Sequence, residues 1–171
     1  MTVLPFETSL PWPVLERGTS LPQAKTLQYL LRAHGYAVIP DGTFASGTDT
    51  AVRAFQADHR LTVDGIAGAE TWRALIIRVK SQSRGDAVRG VQQEAVNRDG
   101  SDVPSLVIDG VFGPRTEQFV RGYQAALRAA FPDEGVVAVE VNLSCPNVED
   151  RAGMFAHSVE ATEAAYAVKG M

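Results

Sequence analysis

This chain of 171 residues has only one cysteine, no long apolar run and no dominant charge. The single cysteine, Cys145, cannot form an intramolecular disulfide or a cysteine-rich zinc site, so disulfide scaffolds and zinc fingers are excluded. No run approaches the roughly 18–20 apolar residues of a membrane span. The first basic residue is Arg17, so we expect neither a membrane anchor nor a secretion signal. The 45% hydrophobic content is typical of a globular protein.

The charge is distributed unevenly along the chain. Residues 1–131 hold 14 basic and 13 acidic side chains, whereas residues 132–171 hold 2 and 7. Neither part has the basic excess of a nucleic-acid-binding surface, so we expect no nucleic-acid partner. The three histidines share no metal-ligand spacing, and we expect no metal site.

An internal repeat is the most informative feature of the sequence. The residues Asp41-Gly42-Thr43-Phe44 recur 68 positions later as Asp109-Gly110-Val111-Phe112, and a shorter echo begins at Asp64. A threonine follows seven positions after each of the three aspartates. Glycine suits a tight turn, aspartate can accept hydrogen bonds from the turn backbone, and threonine can cap the following helix. The pattern therefore predicts three turns that each lead into a helix.

Apolar periodicity predicts a mainly α fold with five helices. The predicted helices cover 23–34, 48–58, 71–79, 86–96 and 116–130. The first three can share one small core, to which Trp72 belongs by its spacing to Leu75 and Ile76. The second copy has no third helix, because a β-branched run at 136–143 stands in its place. We therefore predict tandem small three-helix modules, the second one incomplete, and a C-terminal strand-loop-helix tail.

The order of these features resembles the peptidoglycan-binding domain-like family over about residues 11–131. The residues that carry the resemblance are Leu27-Gln28, Gly35-Tyr36, Asp41-Gly42, Phe44, Thr48, Ala51-Val52, Phe55-Gln56, Val63 to Ile66, Gly68, Thr71-Trp72 and Leu75. The resemblance implies non-catalytic attachment to the glycan or stem peptide of the bacterial cell wall. It also implies a cell-wall or extracellular location and makes a cell-wall hydrolase a candidate partner.

Three residues of the repeats are candidate ligand contacts: Tyr29, Tyr36 and Gln56. An exposed tyrosine ring can cover the apolar face of a sugar while its hydroxyl stays hydrated. Simple packing is the alternative for both tyrosines. A glutamine at such a position can instead tie a helix to a loop backbone, which is the alternative for Gln56.

The segment 136–168 resembles the soluble class of dihydroorotate dehydrogenases, flavin enzymes with a TIM-barrel fold. The six residues from Asn142 to Asn147 carry this resemblance. It implies that Cys145 is the base, that Asn142 and Asn147 contact substrate or flavin with Ser144 beside them, and that FMN is the cofactor. A complete barrel needs about 200–250 residues. We therefore expect this segment to be inactive and the protein to bind no cofactor.

The sequence thus divides into a complete repeat at 11–79, a truncated repeat at 80–135 and a dehydrogenase-like fragment at 136–171. The favoured function is non-catalytic binding of peptidoglycan, with no membrane partner. One alternative is an inactive fragment of an FMN-dependent dihydroorotate dehydrogenase, and another is a helical protein that binds a protein partner. Enzyme activity is not expected; were it present, it would be dihydroorotate oxidation or an accessory role in cell-wall hydrolysis.

Overall fold

The computed structural model describes residues 13–98 and 106–130, and the structural statements below concern these ranges. They form five α-helices: α1 at Gln23–Ala33, α2 at Ser46–Asp58, α3 at Ala69–Leu75, α4 at Asp86–Arg98 and α5 at Pro114–Ala130. The β pairings within these ranges are two isolated antiparallel bridges, Leu15 with Ala67 and Arg84 with Val111. The predicted mainly α class is confirmed. The predicted strand-loop-helix tail lies outside the described residues.

The first three helices enclose one apolar core. Its largest side chains are Trp72, Phe44 and Phe55, each no more than 1% exposed, and leucines of α1 fill the space between them. The indole Nε1 of Trp72 donates a 2.8 Å hydrogen bond to the carbonyl oxygen of Pro13. The predicted core position of Trp72 is therefore confirmed, and the segment before α1 is tied to α3.

Helix α3 ends earlier than the sequence predicts. Its last residue is Leu75, and Ile76 adopts an extended backbone with ψ of 125°. The carbonyl oxygen of Leu75 lies 3.2 Å from Nε2 of His34, so the residue that follows α1 faces the carbonyl that would accept a hydrogen bond in a further turn of α3. The side chain of Ile76 is 43% exposed. Its predicted place on the core face of this helix is wrong.

Helix α4 packs along α1. A Cβ atom at Gly90 would lie only 3.3 Å from Cδ2 of Leu30, so the absence of a side chain at Gly90 allows the close approach. The interface also holds polar groups: the hydroxyl of Thr26 donates a 3.0 Å hydrogen bond to the buried carboxylate of Glu94. The amide of Asn97 lies within 3.3 Å of both groups. Helix α4 thus covers one side of α1.

No helix in the described ranges combines the length and apolar character needed to cross a bilayer.

Candidate functional site

One hydrogen-bonded arrangement occurs three times, and we call it a glutamine clasp. In each clasp, Nε2 of a buried glutamine lies 2.8–3.1 Å from an aspartate carboxylate, a loop carbonyl and a threonine hydroxyl. The glutamine Oε1 accepts a hydrogen bond from a glycine N–H. The three clasps consist of Gln28 with Asp41, Gly42 and Thr48; Gln56 with Asp64, Gly65 and Thr71; and Gln92 with Asp109, Gly110 and Thr116.

The aspartates of the clasps hold the predicted turns. Oδ1 of Asp41, Asp64 and Asp109 accepts a 2.8–2.9 Å hydrogen bond from the backbone N–H two residues further on. These backbone bonds, supported by the glutamine amides, hold the pKa of each carboxyl below its ordinary value of 3.8. The glycine that follows each aspartate has φ between 72° and 84°, the left-handed conformation that glycine adopts at little cost. The prediction of three tight turns is confirmed.

The threonines of the clasps do not cap their helices. Each is the third residue of its helix, because α2, α3 and α5 begin two residues earlier than predicted. The N-cap residues of α2 and α3 are Ala45 and Gly68, which make no side-chain capping bond. The hydroxyl of Thr48 instead donates a 3.3 Å hydrogen bond to the loop carbonyl of Thr43. The predicted capping role is wrong, and the threonines join helix to loop.

A surface groove lies where the C-terminal end of α1 meets the N-terminal end of α2. Residues of the loop between the two helices line it, together with Asp86 at the start of α4. Its lining residues are Arg32, Gly35, Tyr36, Ala37, Val38, Ile39, Asp41, Thr43, Ala45, Gly47, Thr48 and Asp86. Ile39 is 76% exposed, so an apolar side chain faces solvent within the groove.

Of the predicted ligand contacts, only Tyr36 lines the groove. Its half-buried ring contacts Phe55 edge-to-face with 5.7 Å between centroids, and its hydroxyl donates a 2.7 Å hydrogen bond to Asp58. Burial, followed by the bond to Asp58 and its negative charge, raises the pKa of Tyr36 to about 12. Tyr29 is half-buried beside α4, with its Cβ 3.9 Å from the Cβ position of Gly90.

Gln56 is 1% exposed, and both of its side-chain polar atoms are bonded within the second clasp. That geometry corresponds to the structural alternative for this residue. The candidate residues of the dehydrogenase-like segment, Cys145 with Asn142, Ser144 and Asn147, lie outside the described ranges.

Arg32 is a groove residue that sequence reasoning missed. A basic residue in the last turn of a helix is ordinarily explained by the helix dipole, and nothing in the sequence relates Arg32 to Asp86, its partner 54 positions away. The sequence predicts only a turn role for Asp41, although this residue also lines the groove.

The structure brings together two histidines that the sequence does not relate. His34 and His59 follow α1 and α2, and their ring centroids are 5.6 Å apart. The ring of His59 stacks on Phe55, and one nitrogen of each imidazole lies within hydrogen-bond distance of a backbone carbonyl. Within residues 13–98 and 106–130, no group of three or more histidine, cysteine or acidic side chains could hold a metal ion.

Comparison with known proteins bears on residues 20–75, which match the model of a family described as a putative peptidoglycan binding domain. The chain is 34% identical over 89 residues to the spore cortex-lytic enzyme of Bacillus cereus. The aligned region covers 52% of this chain and 34% of that enzyme. It is 29% identical over 142 residues to the N-acetylmuramoyl-L-alanine amidase CwlL of Bacillus licheniformis. That alignment covers 65% of this chain and 39% of the amidase.

The chain thus spans between a third and two fifths of the length of these relatives. None of these matches bears on the dehydrogenase resemblance. The family match begins shortly before α1 and ends with the last residue of α3, so it includes the first two clasps and all of the core except Leu15. Residues 20–75 are therefore similar to a peptidoglycan-binding domain over the helices α1, α2 and α3.

Proposed function

We propose that this protein attaches to bacterial peptidoglycan through residues 20–75 and that this attachment is non-catalytic. One observation carries the proposal: the matched residues coincide with the three helices that enclose the apolar core. The buried polar groups of the clasps are bonded to one another, so we assign them to the scaffold. The groove between α1 and α2 is left as the surface for the ligand.

A cell-wall hydrolase is the functional partner that we propose, and the bacterial cell wall is the proposed location. The support comes from the relatives, whose names describe a spore cortex-lytic enzyme and an amidase. Because the family model that matches residues 20–75 describes a binding domain, attachment is the function that we propose for this chain.

We further propose that residues 80–135 are a second, truncated copy of the module at 11–79. What supports this is the third clasp, in which Gln92, Asp109 and Thr116 repeat the bonds of the first clasp. The proposed copy contains α4 and α5, which correspond to α1 and α2. The segment that would correspond to α3 lies outside the described residues.

Sedimentation with purified bacterial sacculi tests the attachment. We expect the protein to sediment with sacculi, whereas an unrelated acidic protein of similar size stays in solution. Ile39→Asp should weaken sedimentation, because it places a charge on the exposed apolar surface of the groove. Val107→Asp is the matched control, since Val107 is 63% exposed but lies away from the groove. Sedimentation no better than that of the unrelated protein would remove the proposal.

The segment from Asn142 to Asn147 supports a second candidate, an inactive remnant of an FMN-dependent dihydroorotate dehydrogenase. We propose that it retains no turnover and holds no FMN, because 33 residues cannot supply a phosphate pocket and a barrel mouth. The protein should purify colourless, and Cys145→Ala should leave sacculus binding unchanged. A yellow preparation, or reduction of a dye by dihydroorotate that Cys145→Ala abolishes, would make the flavoenzyme function primary.

A further inference from the structure

Arg32 presents an open pair of hydrogen-bond donors at the groove. Its Nε donates a 2.9 Å hydrogen bond to Oδ2 of Asp86, while Oδ1 of Asp86 accepts from Arg89 at 2.8 Å. The side chain of Arg32 is 42% exposed. No described residue accepts a hydrogen bond from its two terminal nitrogens. A guanidinium held at Nε therefore offers the edge that binds a carboxylate through two parallel hydrogen bonds.

Asp41 supplies the opposite charge in the same groove. Its Oδ1 accepts hydrogen bonds from Nε2 of Gln28 and from the N–H of Thr43, and no described residue donates to its Oδ2. The pKa of this carboxyl is held below its ordinary value by the Thr43 bond and then by the Gln28 bond, so the group is ionised at neutral pH. The exposed Oδ2 can accept a hydrogen bond from a cation of the ligand.

The remainder of the lining contains apolar groups, among them Ala37, Val38 and the exposed Ile39. A sugar that stacks on a protein needs an accessible aromatic face. The ring of Tyr36 is half-buried against Phe55, and its hydroxyl is bonded to Asp58. The groove thus offers the cation Arg32, the carboxylate of Asp41 and apolar side chains, while its second carboxylate, Asp86, is bonded to Arg32 and Arg89. This combination suits a short charged peptide better than a neutral glycan.

We propose, on the basis of the function proposed above, that this groove binds the stem peptide of peptidoglycan and not its glycan. Arg32 pairs with a free carboxylate of the peptide, and Asp41 pairs with the ammonium group of its diamino acid. Ile39 contacts an aliphatic part of the same peptide. Asp86 is a positioning residue, because it holds the guanidinium of Arg32 from the start of α4.

The experiment uses the full chain and three probes: intact sacculi, glycan strands freed of peptide by an amidase, and a synthetic tetrapeptide of alanine, D-glutamate, a diamino acid and D-alanine. We expect binding to sacculi, competition by the tetrapeptide, and no binding to peptide-free glycan. A tetrapeptide with alanine in place of the diamino acid should compete less well, because it lacks the ammonium group for Asp41. This arm tests Asp41 without changing the first clasp.

A pair of matched variants tests Arg32. Arg32→Gln should weaken sacculus binding about tenfold, the loss expected for hydrogen bonds to a charged group. Arg53→Gln is the control: Arg53 also donates from Nε to an aspartate and its side chain is 46% exposed, but it lies outside the groove. Both variants should keep the melting temperature of the parent. Equal binding by the two variants would overturn the role of Arg32.

Two further outcomes separate the proposals. Full binding to peptide-free glycan, or no competition by the tetrapeptide, would overturn the peptide assignment while leaving attachment to peptidoglycan in place. Absence of binding to intact sacculi would overturn the proposed function and the peptide assignment with it.

Discussion

The side-chain amide of Gln56 donates a 2.8 Å hydrogen bond to the carboxylate of Asp64, eight residues further along the chain. Nε2 of Gln56 also lies 2.9 Å from the carbonyl oxygen of Ile66, and its Oε1 accepts from the N–H of Gly65. Burying an amide costs free energy unless its polar atoms are hydrogen-bonded, and here they are. The clasp therefore stabilises the loop between α2 and α3.

Removal of this amide should destabilise the protein. In Gln56→Leu the buried N–H of Gly65 loses its acceptor, and we expect a loss of about 1–3 kcal/mol in the free energy of unfolding. Gln118→Leu on the exposed side of α5 is the control and should change little. Denaturant unfolding measures both. Unchanged stability of Gln56→Leu together with lost sacculus binding would instead make Gln56 a ligand contact.

Truncation of Trp72 should have a larger effect. The side chain is fully buried, and deleting a large buried aromatic typically costs about 3–5 kcal/mol, so Trp72→Ala should largely unfold the first module. Trp72→Phe should lose less stability, because it keeps most of the ring volume. It still removes the 2.8 Å hydrogen bond to Pro13, so some loss is expected. Thermal melting followed by circular dichroism compares the two. A Trp72→Ala protein that melts like the parent would contradict the core position.

From the lowered pKa values of the clasp aspartates we predict that acid destabilises the folded protein. Their pKa values are lower in the folded protein than the ordinary 3.8, so unfolding takes up protons when the pH lies between the two values. The stability from these carboxylates is present above pH 3.8 and is lost as the pH falls through the lowered values. We therefore expect the melting temperature to fall as the pH is lowered from 5 through this window.

A variant isolates one aspartate. Asp64→Asn keeps an oxygen that can accept the bond from Ile66 but does not titrate, so its melting temperature should depend less on pH than that of the parent. Glu70→Gln, which changes an acid outside the clasps, should retain the parent slope. Identical slopes for Asp64→Asn and the parent would exclude the clasp carboxylate as a source of the acid sensitivity.

The contact between α1 and α4 depends on Gly90. A valine there would meet Leu30, since the Cβ position is already 3.3 Å from Cδ2 of that residue, and overpacking of this kind costs about 1–3 kcal/mol. Gly122→Val on α5 is the matched control, because no atom of the described residues beyond its chain neighbours and the backbone of its own helix lies within 4 Å of its Cβ position. We expect a lower melting temperature for Gly90→Val only. Equal melting temperatures would show that α4 does not pack on α1 at this point in solution.

Local patterns predicted the helices because helix periodicity and Asp-Gly turns depend on residues close together in the chain. Helices α1 and α2 begin and end within two residues of their predicted bounds. The bounds of α3 were harder to predict, since His34, which follows α1, faces the carbonyl of the last residue of α3. The role of the threonines was missed for a related reason: a shift of two residues in the helix start turns a capping side chain into a link between helix and loop.

The sequence by itself determined the helical class, the three glycine turns and the burial of Trp72, because each of these follows from residue type and short-range spacing. Only the tertiary structure decided that α4 covers α1, that Gln56 lies inside a clasp, and that Arg32 meets Asp86 at a groove. Partners separated by 54 residues leave no periodic trace in a sequence. They meet because burial of the apolar faces of the helices sets how the helices pack, and that packing then places the polar side chains at their edges.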